Sequence, residues 1–192
     1  MSYAVAVRAL CEFTARAGDL DLRFTPAPTG LEGMAGHAAV TGRRGPAYET
    51  EVALSGQYEN LLVRGRADGY DPAANQLEEI KTYHGQLDSV RENHRAVHWA
   101  QARVYGHLLC QARRLERLRV ALVYFNVVTE EETVQVETHE AAALEAFFRE
   151  QCGRFLDWAA KEQAHRQSRD GALETLAFPH GEFRSGQRDL AV

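Results

Sequence analysis

The stretch ENLLVRGRADGYDPAANQLEEIKTYH, Glu59 to His84, decides the fold. It reads as two β-strands joined by a turn. Leu61, Val63, Gly65 and Ala67 alternate with Leu62, Arg64, Arg66 and Asp68 in a first strand that reaches Tyr70. Asp71-Pro72 and Asn75 mark the turn, and Gln76 to Tyr83 returns as the second strand. Side chains alternate across a strand, so Glu79 and Lys81 share one face while Ile80 points to the other. Normal pairing brings Asp68 near them at the strand ends. An Asp followed by Glu-x-Lys on the next strand composes a divalent-metal site with an amine beside it. Two carboxylates offer hard oxygen ligands to Mg²⁺ or Mn²⁺ and leave positions for water and a phosphate oxygen. The lysine orients or helps deprotonate that water, or stabilises charge at phosphorus. The same residues also fit a plainer reading: Asp68 as a turn residue and Glu79/Lys81 as a solvated i,i+2 pair.

Composition sharpens the first reading. The chain has 22 Lys+Arg, and only Lys81 and Lys161 are lysines. Lysine stands here where a compact, titratable amine serves and a guanidinium does not. It is expected to face the surface.

The 192 residues suffice for a substantial core, and 45% hydrophobic with 26% charged content is that of an ordinary soluble globular protein. No apolar run is long enough for a membrane span and no basic-then-apolar leader opens the chain, so a cytoplasmic address and no membrane partner are expected. Cys11, Cys110 and Cys152 are isolated from one another, which suits buried small hydrophobes and neither a disulfide framework nor a C-x-x-C site. A net charge of −5 argues against a non-specific nucleic-acid coat, but not against an enzyme with one basic groove.

Working outward, Val5 to Ala17 has helical spacing ended by Gly18-Asp19, and Pro26, Pro28 and Gly30 form a loop. Leu31 to Thr41 is a short helix whose Gly33 and Gly36 allow close backbone approach. It carries His37, an imidazole able to complete a metal sphere begun by two carboxylates. Arg43 and Arg44 sit in a basic loop before a strand from Tyr48 to Tyr58. Downstream, a long helix spans about Val90 to Leu118, with Val97, Ala100, Val104, Leu108, Ala112, Leu115 and Leu118 as its buried stripe. His94, His98, Gln101 and Tyr105 form a second stripe beside it, outside the buried one. His94 and His98 have the spacing of a zinc pair but lack the glutamate that a metalloprotease helix carries. Arg119 to Val128 is a buried apolar strand, Thr133 to Thr138 an edge strand, and Glu140 to about Gln167 a last helix. From Arg166 the chain reads as a polar linker.

The order strand with Asp68, strand with Glu79 and Lys81, helix with Gln101 and Tyr105 resembles the PD-(D/E)xK nuclease superfamily. It is most similar to the RecB-type branch, through Gly33-x-x-x-His37, Asp68, Glu79-Ile80-Lys81 and Gln101-x-x-x-Tyr105. The resemblance covers about Leu31 to Val136. It implies that His37, Asp68, Glu79 and the main-chain carbonyl of Ile80 bind Mg²⁺ or Mn²⁺. It further implies that Asp68, Glu79 and Lys81 are catalytic, and that Gln101 and Tyr105 contact DNA or steady the site. The family's optional iron–sulfur cluster needs four cysteines, so no cluster is expected. Phe183-Arg184-Ser185-Gly186-Gln187 resembles the entry segment of DinG/XPD-like helicases, which implies a helicase domain in cis.

The expectation is therefore an α/β fold: a mixed central sheet flanked by helices, with the restriction-endonuclease-like αβββαβ core in residues 1–165 and a linker toward a helicase in 166–192. The expected function is metal-dependent hydrolysis of DNA, single-stranded or end-bearing, within DNA repair or processing. Two alternatives stay open: an RNA-directed or structure-specific nuclease, and an inactive nuclease fold that only docks DNA or a partner.

Overall fold

The computed structural model describes residues 2–16 and 27–174. The fold is α/β, with a six-stranded mixed sheet and helices on both faces. Strand β1 is Tyr3–Ala6 and leads directly into helix α1, Val7–Thr14. Helix α2 is Gly30–Gly42; β2 is Glu49–Tyr58, β3 is Leu61–Asp71 and β4 is Gln76–Tyr83. After a single 3₁₀ turn come α3, Glu92–Arg113, then β5, Arg117–Asn126, and β6, Glu132–Glu140. Helix α4 runs from Ala141 to Glu174. The chain divides into two compact units, 1–156 and 157–192. The sheet and the candidate site lie in the first.

The sheet has an unusual middle. β2 pairs antiparallel with β3 along nearly its whole length, from Tyr58↔Leu61 to Glu49↔Tyr70. A strand has two edges, so every other partner of β3 must share the remaining one. β1 takes its first part, parallel, over Leu61–Arg64. β4 takes its last part, antiparallel, over Gly69–Asp71, with Gly69↔Glu78 as the final pair. Between them Gly65 to Asp68 are paired with neither, and beyond Glu78 β4 leaves β3 while staying parallel with β5 along its whole length, Gln76↔Arg119 to Tyr83↔Asn126. The result is a fork between β3 and β4.

Both faces carry a core, as the period-2 pattern requires. On the α3 side, Leu61, Val63, Ala67, Leu77, Val120, Leu122 and Tyr124 pack with Val97, Val104 and Leu108. On the α2 side Ile80, Val123 and Phe125 pack with Val40. Helix α2 starts at a capping box: Thr29 accepts from the Glu32 amide while Glu32 accepts from the Thr29 amide at 2.7 Å. Its Gly36 is fixed by contact, since a Cβ there would fall 2.6 Å from Thr82 Cγ2 and 3.0 Å from the Phe125 ring. The motif glycine, Gly33, has only ordinary clearance from Thr82.

Several boundaries differ from the sequence reading. Val5 and Ala6 belong to the strand Tyr3–Ala6, not to the helix, because a short apolar run without alternation suits either period. Helix α3 stops at Arg113, where Arg114 takes a left-handed conformation and the Leu115 amide bonds back to Cys110 O. Leu118 therefore belongs to β5, and Ala112 is exposed. Arg166 to Glu174 is helix, not linker. Gly18-Asp19, Pro26 and the segment Phe183–Gln187 lie outside the described residues. The three cysteines are free and buried. Among the described residues no helix is long and apolar enough to cross a membrane.

The fork is pinned at Gly69↔Glu78, where the Tyr48 hydroxyl lies directly over Gly69, so a Cβ would overlap it. Gly69→Ala should lower the unfolding free energy by about 1–3 kcal/mol, the usual range for overpacking. Adding Tyr48→Ala should recover part of the loss, and a double-mutant cycle by denaturant unfolding measures it. Strictly additive losses would show that the two residues do not oppose one another.

Candidate functional site

A cavity of about 520 Å³ opens at the fork and is lined from both faces of the sheet. From the α2 face come His37 and Asp68; from the α3 face come Glu79, Lys81, Gln101 and Tyr105. The candidate site residues His37, Asp68, Glu79, Ile80, Lys81, Gln101 and Tyr105 thus line one cavity.

Asp68 is the last β3 residue before the Gly69↔Glu78 pair. Its neighbour Ala67 packs into the α3-side core while Asp68 meets His37 of α2, and the parting of the strands is what lets Asp68 and Glu79 approach one cavity. Beyond the ladder the Ile80 amide has no β3 carbonyl to bond, and Asp68 Oδ2 accepts it at 2.6 Å. Asp68 Oδ1 lies 3.3 Å from His37 Nδ1, and this hydrogen bond raises the His37 pKa. The Ile80 side chain itself is fully buried in the α2-side core.

On the other face Glu79 is 5% exposed. Its Oε1 accepts from Lys81 Nζ at 2.6 Å, and Lys81 Nζ donates again to Gln101 Oε1 at 2.8 Å. Burial pushes the Glu79 carboxyl up to about 6, with Lys81 pulling the other way. Lys81 is half-buried rather than surface-facing. Glu79 Oε2 is buried and has no hydrogen-bond partner. Leaving such an oxygen unsatisfied costs about 1–3 kcal/mol.

Gln101 and Tyr105 do not stand outside the buried stripe of α3, as their polarity suggested. Both are buried, Gln101 at 4% and Tyr105 at 8% exposure. Gln101 is drawn in by Lys81. The Tyr105 hydroxyl reaches the β3 backbone over Gly65 and Arg66, where a Cβ on Gly65 would crowd it. Burial, then the Glu79 and Asp68 charges, raise its pKa. Tyr105 meets the unpaired part of β3 and also lines the cavity. His94 and His98 also line the cavity, but His98 Nδ1 is engaged with the Tyr124 hydroxyl at 3.1 Å.

Among the described residues, no group of three or more His, Cys, Asp or Glu side chains is disposed to hold a metal ion as it stands. The donors nonetheless fit a hard divalent cation in kind: carboxylate oxygen, imidazole and a buried Glu79 Oε2 that lacks a partner.

Three residues that support the site were not read from the sequence. Glu78, buried at 4% exposure, points opposite to Glu79. Its Oε2 accepts from Arg44 Nε at 2.9 Å and from the Tyr48 hydroxyl at 3.0 Å, and its Oε1 accepts from Gln76. Arg44 also donates to Glu132, which ties the network to β6. Alternation held the signal: a glutamate on the same face as buried Ile80 needs a cation, and Arg43-Arg44 is the basic run upstream.

No protein-family model and no curated protein matches this chain. Among solved structures, the crystal structure of SSO0001 is similar at a TM-score of 0.46 and 17% identity, over 78% of this chain and 75% of that one.

His98 gives the site a pH signature. Burial lowers its pKa to about 3, so it stays neutral in the folded protein where the unfolded chain takes up a proton. Stability is therefore full above the unfolded-state pKa and falls as pH drops toward the folded one. From this group the loss is at most ~1.4 kcal/mol per pH unit below about 6.5. His98→Gln should flatten the unfolding free energy between pH 6.5 and pH 4 relative to wild type. Parallel profiles from denaturant titrations would mean that His98 is protonated in the native state.

Proposed function

We propose that this chain is a metal-dependent deoxyribonuclease of the PD-(D/E)xK type, hydrolysing phosphodiester bonds of single-stranded or end-bearing DNA in repair or processing. The observation that supports it is the buried, partnerless Glu79 Oε2 beside Lys81, in one cavity with Asp68 and His37. A purely structural ion pair gains nothing from such an oxygen, whereas a cation-binding carboxylate requires one.

In this reading His37, Asp68, Glu79 and the Ile80 carbonyl hold Mg²⁺ or Mn²⁺. When bound, the ion supplies Lewis-acid charge neutralisation at the phosphate. Lys81 is already oriented by Glu79 and Gln101 and keeps a third N–H for the attacking water or a phosphate oxygen. The water oxygen bonds to phosphorus and releases a proton to solvent; the P–O bond to the leaving sugar oxygen breaks, and that oxygen takes up a proton. Gln101 and Tyr105, being buried, act by holding Lys81 and the β3 edge. The likeness of Phe183–Gln187 to a helicase entry segment supports a motor domain in cis that supplies single strands.

Incubation with end-labelled linear and circular DNA, single- and double-stranded, with Mn²⁺ or with chelator, tests the reading. DNA binding without any cleavage would return the chain to the docking-module alternative. Lys81→Gln, which retains hydrogen bonding to Glu79 and Gln101, should lower cleavage by about 10²-fold or more while DNA affinity changes little. Lys81→Ala is the poorer test, because stranding the buried Glu79 charge costs about 3–5 kcal/mol. Wild-type cleavage by Lys81→Gln would remove Lys81 from the chemistry.

A further inference from the structure

We infer that Arg8, Arg16 and Arg66 form a phosphate-gripping rim above the fork, holding the backbone of a single DNA strand on either side of the reacting phosphodiester. The inference rests on the nuclease reading for its substrate and goes beyond it in assigning the residues that bind.

The three arginines come from parts of the chain some fifty residues apart, yet all line the one cavity that holds Asp68, Glu79 and Lys81. Arg8 is on α1 and Arg16 just beyond its end, while Arg66 is on β3 two residues before Asp68 and on the same face. All three are exposed. Stability does not account for Arg8 or Arg66. Arg8 pairs with Glu12 one helical turn on, with both side chains in solvent, and Arg66 reaches Glu51 only at 3.8 Å. Exposed pairs of this kind contribute little.

Charge distribution makes the rim necessary. The chain carries a net charge of −5 and the cavity floor is carboxylate, so a polyanion is repelled unless cations meet it at the mouth. Guanidinium forks suit phosphate oxygens in geometry as well as charge. The depth of the floor selects the substrate. Glu79 is nearly buried, so a phosphate must dip into the fork to reach it. A flexible single strand bends that sharply, and a duplex, stiff over about 150 base pairs, does not.

The test is binding without chemistry. The full chain is titrated into a short fluorescent oligothymidylate in chelator over a series of salt concentrations. Each of Arg8→Ala, Arg16→Ala and Arg66→Ala should weaken binding roughly fivefold or more and reduce the slope of log K against log salt by about 0.7. The matching Arg→Lys variants should restore the slope, since the charge remains. Arg149→Ala, at a separate cavity, should change neither. Alanine variants with wild-type affinity and slope overturn the inference, as does an equal grip on duplex or no retention of oligothymidylate by the wild type. Rim-dependent binding with no cleavage in Mn²⁺ leaves this inference standing and removes the nuclease reading. Cleavage indifferent to all three arginines does the reverse.

Discussion

One edge of β3 serves two partners, and the rest of the structure depends on that division. β1 occupies the edge at one end and β4 at the other, leaving Gly65 to Asp68 between them. Backbone groups cannot be left buried and unpaired, so the gap must be filled by side chains. Tyr105 comes from α3 to meet the backbone at Gly65 and Arg66, and Asp68 takes the Ile80 amide. These side-chain substitutes for a missing strand ladder are the same groups that line the candidate site. A continuous sheet would have satisfied the backbone and left no cavity.

Holding two strands apart needs a fixed point. Gly69↔Glu78 is the last pair before they separate, and Glu78 is the most heavily bonded carboxylate near it, with Arg44, Tyr48 and Gln76 as donors. A buried carboxylate with three donors is rigid, and losing one donor exposes it to the full desolvation penalty. Glycine at 69 lets Tyr48 close over the pair. The distance between Asp68 and Glu79 is thus set from the face opposite Lys81, by residues that do not line the cavity.

The strand pair was legible because its pattern is local. β3 and β4 begin where alternation and the Asp71-Pro72 turn place them, and Leu61, Val63 and Ala67 share one face as period 2 requires. What was not legible depended on partners distant in sequence. Tyr3–Ala6 is a strand only because β3 offers it an edge. Gln101 and Tyr105 looked solvated because they are polar, and they are buried because Lys81 and a bare stretch of backbone require them. Arg44, Tyr48 and Glu78 form one network from residues up to 34 positions apart, and nothing in a single window joins them. The end of α3 was misplaced for a local reason: Arg114 adopts the left-handed cap without the glycine that usually announces it.

The adjacent glutamates make the distinction between support and chemistry concrete. Glu78 and Glu79 are the same residue type, one position apart, both under 6% exposed, and alternation sends them to opposite faces. Glu78 has donors on both oxygens. Glu79 has one, from Lys81, and its second oxygen has none. Burial costs both residues alike, so the difference lies in what surrounds them. On one face the fold supplies every donor, as a stabilising network must. On the other it brings in a lysine, from a chain with one other lysine among its 22 Lys+Arg, and stops short. An oxygen left in that state is open to something that comes to it, and this sets Glu79 apart from its better-bonded neighbour and supports the proposed site.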